Sequence, residues 1–239
     1  MSVILRTAAV SNPGLVRPNN EDAMHVGQRL LAVADGMGGM PAGELASRIV
    51  IKALAPLDAA PPEADAGTAL RAALEAANEE IRVSAAADPA QEGMGTTVTA
   101  LLLSGERFGL LHVGDSRCYL LRDATLSQVT RDDTFVQSLV DQGALTMAEA
   151  RRHPRRSLIT QAVQGEPLSP TSAVLTACPA DRLLLCSDGL TDVVADDAID
   201  LVLRTGPGPR DCAERLVELA LAAGAPDNVT VVVADVLSG

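Results

Sequence analysis

Three apolar runs in this chain end in an aspartate beside a glycine: LLAVADG at Asp35, GLLHVGD at Asp115 and RLLLCSDG at Asp188. A fourth aspartate, Asp227, comes just before an apolar run in APDNVTVVV. Taken singly, each reads as turn chemistry, because Asp-Gly after an apolar run is a strong hairpin signal. Taken together they suggest something else. In an antiparallel sheet the start of one strand lies beside the end of its neighbour. Strands that end in Asp, and a strand that begins after one, can therefore bring those carboxylates to a single edge. Gathered carboxylates repel each other. Hard divalent cations such as Mg²⁺ or Mn²⁺ prefer oxygen ligands and offset that repulsion. Glycines such as Gly36 leave room for a backbone carbonyl and water to approach a cation.

A second polar cluster lies in GLVRPNNEDA, residues 14–23, where Glu21 and Asp22 are adjacent and Arg17 is the only base nearby. A solvated turn is the plain reading. The chemical reading pairs outer acids with an arginine, whose planar fork can donate two parallel hydrogen bonds to a phosphoryl group. The remaining candidates are weaker. His112 sits inside an apolar strand and reads as a core residue. His25 has no clear role, and His153 reads as structural, just before Pro154. None of the three has metal-ligand spacing with another His or Cys. EGMGTT lacks the Gly-Lys-Ser/Thr ending of a phosphate-binding loop, which argues against nucleotide binding.

These residues must be held by a framework, and the patterning suggests one. Short strands are expected at 3–10, 23–27 and 29–34, followed by a helix at 41–54 with Pro41 in its first turn. Residues 60–67 read as a loop and 68–87 as the strongest helix. Strands follow in TTVTALLLSG, ERFGLLHVGDS, RCYLLRDA and TLSQVT, with connections so short that neighbours should pair antiparallel. Residues 131–165 turn helical and more polar. Strands resume in TSAVLTACP and DRLLLCSDG, helices are expected near 196–204 and 210–223, and NVTVVVADV closes the chain as a strand. The order implies an antiparallel α+β domain, a single unit over 1–239, with a helical insertion at about 131–165.

Bulk properties narrow the function. Hydrophobic residues make up 47% of the chain but aromatics only 1%, so the core must be built from Ala, Val, Leu and Ile. A formal net charge of −12 argues against a nucleic-acid or anionic-membrane partner, which would need a basic face. Cys118, Cys178, Cys186 and Cys212 are scattered without CxxC spacing, which favours reduced thiols over zinc or disulfides. No basic lead with a long apolar stretch opens the chain, and no run reaches the roughly 18 apolar residues of a spanning helix. A cytoplasmic protein is the expectation.

In order and approximate spacing, VRPNNEDA, VADGMGG, MGTT, VGDSRCY, LVDQGALTMAEARRHP, LCSDGL and PDNVTVVV resemble the motifs of bacterial members of the protein phosphatase 2C (PPM) family, metal-dependent protein serine/threonine phosphatases. The resemblance runs from about residue 6 to residue 236. It implies two central antiparallel sheets packed as a sandwich and flanked by helices, in α-β-β-α layers, with two or three Mn²⁺ or Mg²⁺ ions at one end. By that resemblance Asp35 bridges two metals and the Gly36 carbonyl is a ligand to the second. Asp188 and Asp227 complete the first metal's shell, and Asp115 shares a third with Asp188. Arg17 binds the phosphate, while Glu21, Asp22 and Asn228 act through metal-bound waters. Arg17, Asp35 and Asp188 are the implied catalytic set, and residues 131–165 the flap. A metal-bridging water would attack phosphorus, with no covalent phosphoenzyme. Phosphorylated proteins, a Ser/Thr kinase and its targets, are the implied partners, and the chain is expected to be a monomer.

Three positions depart from the family pattern. Met37 stands where eukaryotic members commonly have a histidine that has been proposed to protonate the leaving group. Asp133 replaces a common His, and Ser157 a common Asn, which puts flap behaviour and substrate preference in question. Two alternatives remain on the same fold: a catalytically silent phosphoprotein-binding module, and a hydrolase of small phosphoesters. The first requires lost ligands, and no ligand position is missing.

Overall fold

The computed structural model of the chain describes residues 3–39, 42–59 and 65–239. Its strands are β1 (Val3–Asn12), β2 (Ala23–Val26), β3 (Leu30–Ala34), β4 (Gly36–Met37), β5 (Gly95–Thr96), β6 (Val98–Ser104), β7 (Arg107–Val113), β8 (Arg117–Arg122), β9 (Thr125–Gln128), β10 (Thr171–Thr176), β11 (Arg182–Cys186) and β12 (Val229–Ser238). Helices are α1 (Ala42–Leu54), α2 (Ala66–Ala87), α3 (Phe135–Asp141), α4 (Met147–Ala150), α5 (Asp188–Thr191), α6 (Asp196–Thr205) and α7 (Pro209–Ala222). One five-stranded sheet runs β1-β12-β11-β8-β9, the other β10-β7-β6-β3-β2, and every pairing is antiparallel.

The two sheets pack face to face and helices cover their outer faces, so the central strands are buried on both sides. Successive residues of β3 show why its sequence is unbroken Leu, Val and Ala. Leu31 and Val33 point between the sheets with Leu101, Leu110, Leu185 and Val232. Leu30 and Ala32 point the other way, against Ile49, Leu54, Leu70 and Leu74 of α1 and α2. On the opposite face Leu184, Val231 and Val233 meet Leu216 and Ala220 of α7. Period-two side-chain alternation thus feeds two different cores from one strand. Helix α2 is set by Asp65, whose side chain accepts from the Thr68 amide at 3.0 Å. Leu70, Leu74, Ala77 and Ile81 then form its buried stripe, at the spacing a helix face requires.

Several expectations need correction. β7 and β8 do not pair. After Val113 the chain crosses from one sheet to the other through Gly114–Ser116 and β8 pairs with β11 instead. Residues 131–165 are less helical than their pattern suggested: after α4 they form turns, tied down by bridges Thr134↔Ile159 and Thr96↔Val163. The Asp-Gly at 35–36 is no hairpin turn, since Gly36 and Met37 run on as β4 against β5. The loop expected at 60–67 lies mostly outside the described residues, as does Pro41, while residues 66 and 67 already belong to α2. No helix among the described residues is long and apolar enough to cross a membrane.

Candidate active site

The topology carries the four strand-end aspartates to one end of the sandwich. β3 and β7 are each antiparallel to β6, which lies between them, so they run in the same direction and deliver Asp35 and Asp115 to the same end. In the other sheet Cys186 of β11 faces Val231 of β12, which sets Asp188, just past β11, near Asp227, just before β12. All four aspartates line one open cleft with Arg17, Glu21, Gly36, Met37, Thr97, Ser157 and Asn228. Asp22 does not line it. It lies behind, with Oδ2 accepting from Ser187 Oγ at 2.8 Å.

Backbone and hydroxyl contacts fix these positions. The Asp35 amide donates to Thr97 Oγ1 at 3.1 Å, the Thr97 amide donates back to the Asp35 carbonyl at 2.9 Å, and Thr97 Oγ1 shares a 2.6 Å hydrogen bond with Ser116 Oγ. Thr97 therefore ties the Asp35 corner to the Asp115 corner. Asn228 is a staple for the 13–21 loop. Its Oδ1 accepts from the Glu21 amide at 2.8 Å, and its Nδ2 donates to the carbonyls of Pro13 at 3.0 Å and Asn19 at 2.7 Å. That loop carries Arg17, whose Nη2 donates to Asp227 Oδ2 at 2.7 Å. Gly36 is needed for close approach, because a Cβ there would fall 2.2 Å from the Gly43 carbonyl oxygen of α1.

The electrostatics follow from crowding acids at the end of a core. Burial first, then the charges of Asp22, Asp188, Asp115 and Asp227, pushes the Asp35 carboxyl well above the ordinary range. Asp188 is raised likewise by burial, then Asp115, Asp192, Asp227 and Asp22. Burial and the charges of Asp132 and Asp192 bring Asp115 up to about 7. Burial raises Asp22 to about 6, although bonds from Thr230 and Ser187 pull the other way. These groups raise one another, and the charge of Arg117 only partly offsets this at Asp115.

Among the described residues, no three His, Cys, Asp or Glu side chains stand close enough together to enclose an ion as they lie. The carboxylates line the walls of the cleft, as mutual repulsion favours, and Arg17 holds Asp227. The donor set nevertheless fits a hard divalent cation: every side chain offered is an oxygen donor. Asp22 Oδ1 is also buried with no hydrogen-bond partner, an orphaned acceptor of the kind that ordered water normally satisfies.

Sequence reasoning missed Thr97, Ser116 and Ser187 as positioning groups, although MGTT, VGDSRCY and LCSDGL contain them. Ser157, read as a flap variant, lines the acidic cleft itself. Asp133 pins the same region, its Oδ2 accepting from the Gly114 amide at 3.0 Å and Gln161 Nε2 at 3.1 Å. His112 is the core residue expected, fully buried between Thr99 Oγ1 at 2.9 Å and the Arg131 carbonyl at 3.0 Å. The cysteines are free thiols, three of them buried.

Comparison with known proteins places this geometry. Residues 17–219 match the family model for protein phosphatase 2C. The chain is 54% identical over 99% of its length to the serine/threonine protein phosphatase PstP of Mycobacterium tuberculosis, of which it covers 46%. It thus spans about half the length of that relative. It is 32% identical over 93% of its length to the serine/threonine phosphatase stp of Listeria welshimeri, of which it covers 92%. A crystal structure of the catalytic domain of PstP in complex with two manganese ions superposes with a TM-score of 0.94 at 53% identity, covering 99% of this chain and 100% of that one. The chain belongs to the protein phosphatase 2C family.

Proposed function

We propose that this chain is a Mn²⁺- or Mg²⁺-dependent phosphatase that hydrolyses phosphoserine and phosphothreonine in proteins, with residues 1–239 acting as one catalytic domain and 131–165 as its flap. The observation that carries the reading is the meeting of Asp35, Asp115, Asp188 and Asp227 with Arg17 in one cleft. Asp35 would bridge two cations and the Gly36 carbonyl would bind the second. Asp188 and Asp227 would complete the first site, and Asp115 with Asp188 would hold a third ion. Glu21 and Asp22 would act through water, Asp22 with its free Oδ1. Asn228 holds the loop beneath them. When bound, paired divalent cations lower the pKa of water and draw charge from phosphoryl oxygens.

The chain's own residues do the rest. The Arg17 side chain is about half exposed, 54%, and among the described residues it bonds only to Asp227. It can turn its fork to a phosphoryl group without disturbing the core, and there it offers two parallel donors. Thr97 holds the Asp35 and Asp115 corners at fixed spacing, which keeps the acids preorganised. Met37 brings no proton, so the leaving oxygen is not protonated from that position. By family resemblance the partners are phosphorylated proteins, a Ser/Thr kinase and its targets. The free thiols suit a reducing compartment such as the cytoplasm, and we expect a monomer.

The test is hydrolysis of a phosphothreonine peptide by purified protein with Mn²⁺ added and then chelated, alongside calorimetric unfolding with and without Mn²⁺. Turnover should appear with Mn²⁺, vanish with chelator and be lost in Asp188→Ala, which should also lose most of the Mn²⁺-induced rise in unfolding temperature. Near-wild-type turnover in Asp188→Ala would refute the site.

A further inference from the structure

Negative charge dominates this chain, but not the flap. Residues 131–165 carry five arginines against four acids, and four of the arginines, Arg151, Arg152, Arg155 and Arg156, fall within six residues. The flap acids are committed locally. Asp132 accepts from Arg117 Nε at 2.9 Å and Nη2 at 2.6 Å, and Asp133 from Gly114 and Gln161. Asp141 pairs with Arg131, and Glu149 closes a capping box with Thr146.

The four clustered arginines divide into two kinds. Arg151 and Arg156 latch the flap to the body: Arg151 Nη2 donates to Asp196 at 2.7 Å and Arg156 Nη2 to Asp192 at 3.3 Å. Both line a cavity that shares Asp115, Ser157 and Asp188 with the acidic cleft. Arg152 and Arg155 are exposed and have no carboxylate partner among the described residues. Arg155 is nonetheless held in place. Its guanidinium lies 5.9 Å over the Phe135 ring, which packs on His153 at 6.1 Å, and its amide donates to His153 Nδ1 at 3.1 Å. Two positions further along is Ser157, which lines the cleft.

We propose that Arg152 and Arg155 dock acidic side chains flanking the phosphoresidue of the substrate, so that the enzyme selects acidic phosphopeptide segments. This rests on the phosphatase reading above. An acidic segment is repelled by a surface with a net charge of −12 and finds its foothold at the flap. Arg151 and Arg156 are occupied by the protein's own carboxylates, which leaves discrimination to Arg152 and Arg155. A guanidinium fork matches a carboxylate in geometry as well as charge, and the ring beneath Arg155 limits the freedom lost on docking.

The experiment compares two phosphothreonine peptides that differ only in flanking Glu or Gln, with Mn²⁺, for wild type and Arg152→Gln/Arg155→Gln. For two exposed ion pairs the wild type should favour the Glu peptide by about fivefold in kcat/KM. Most of the difference should lie in KM, and it should shrink as salt rises. The double variant should show a ratio near one with its rate on the Gln peptide unchanged. No preference in wild type, or a preference that survives the double variant, overturns the proposal. A third peptide with a second phosphothreonine in place of Glu should behave as the Glu peptide does; a preference for it that survives the double variant counts against the proposal. Hydrolysis of all peptides at equal rates upholds the phosphatase and refutes the docking. If no peptide is hydrolysed, the phosphatase reading fails. Fluorescence anisotropy of the labelled Glu peptide then decides the docking, by whether the double variant binds it more weakly.

Discussion

Replacing Gly189 with alanine should spoil the acidic cleft through a single methyl group. Gly189 follows Asp188 in α5, and a Cβ built there lies 2.0 Å from the Asn228 carbonyl oxygen and 2.9 Å from its carbonyl carbon. Ordinary contact begins near 3.4 Å, so the two backbones must part by about 1.4 Å. Helix preference pulls the other way, since alanine is better than glycine by about 1 kcal/mol in a helix interior. Overpacking costs about 1–3 kcal/mol, and here the obstacle is backbone with no flexible end to swing aside. With the overpacking cost at its upper end, about 2–3 kcal/mol, the clash wins for a net loss of about 1–2 kcal/mol, which in a domain of this size lowers the unfolding temperature by roughly 2–8 °C. The functional loss should be larger than the stability loss. Asp188 precedes Gly189 and Asp227 precedes Asn228, so parting the backbones widens the gap between two carboxylates. A misplacement of about 1 Å can cost roughly 100-fold in rate. Calorimetry and Mn²⁺-dependent phosphothreonine peptide hydrolysis read the two effects separately. Gly67→Ala is the control. Among the described residues its Cβ would meet only Asp65 Oδ2, at 3.5 Å, so the same substitution should stabilise by about 0.5–1 kcal/mol and leave turnover unchanged. Wild-type turnover in Gly189→Ala, with or without a loss of stability, would refute the link between this backbone approach and the chemistry.

Two further outcomes follow from local geometry. Asp235 is clamped by Arg182, at 2.6 and 3.1 Å, and by Arg6 at 2.6 Å. Burial alone would raise its carboxyl pKa, but the arginines hold it below the ordinary 3.8. A depressed folded pKa gives stability that is full above 3.8 and lost as pH falls through the depressed value. Asp235→Asn should therefore cost about 2 kcal/mol near neutrality, and urea unfolding should show the gap from wild type closing below pH 3.8; a gap that stays constant would refute the assignment. The β8–β9 turn holds Asp123 at φ 50° and Ala124 at φ 56°, a left-handed pair that favours glycine at its second position. Relief of strain at about 1–2 kcal/mol exceeds the extra entropy glycine loses, about 0.5–1 kcal/mol. Ala124→Gly should raise the unfolding temperature, and a fall would show that the turn is not strained.

Much of the architecture was legible because it rests on local signals. The apolar runs around Leu31, Leu184 and Val232 marked strands, and the pattern of residues 68–87 marked the helix α2. The strand-end aspartates at 35, 115 and 188, with Asp227 ahead of the last strand, were readable as candidates for one edge because antiparallel pairing constrains where ends fall. Which sheet each strand joins was not local information. Gly114–Ser116 looks like any tight connection, yet it carries the chain across the sandwich, a choice made by how the two sheets pack. The same holds for the contacts that shape the site. Ser187 reaches Asp22 across 165 positions, and Asn228 reaches Glu21 across 207. Thr97 joins the corners of Asp35 and Asp115 although neither is its neighbour in sequence. The sequence by itself determined which side chains could do chemistry and at which strand ends they stand. Only the tertiary structure decided that they face one cleft, because hydroxyl and amide groups find these partners only after distant strands have been stacked by burial of their apolar faces.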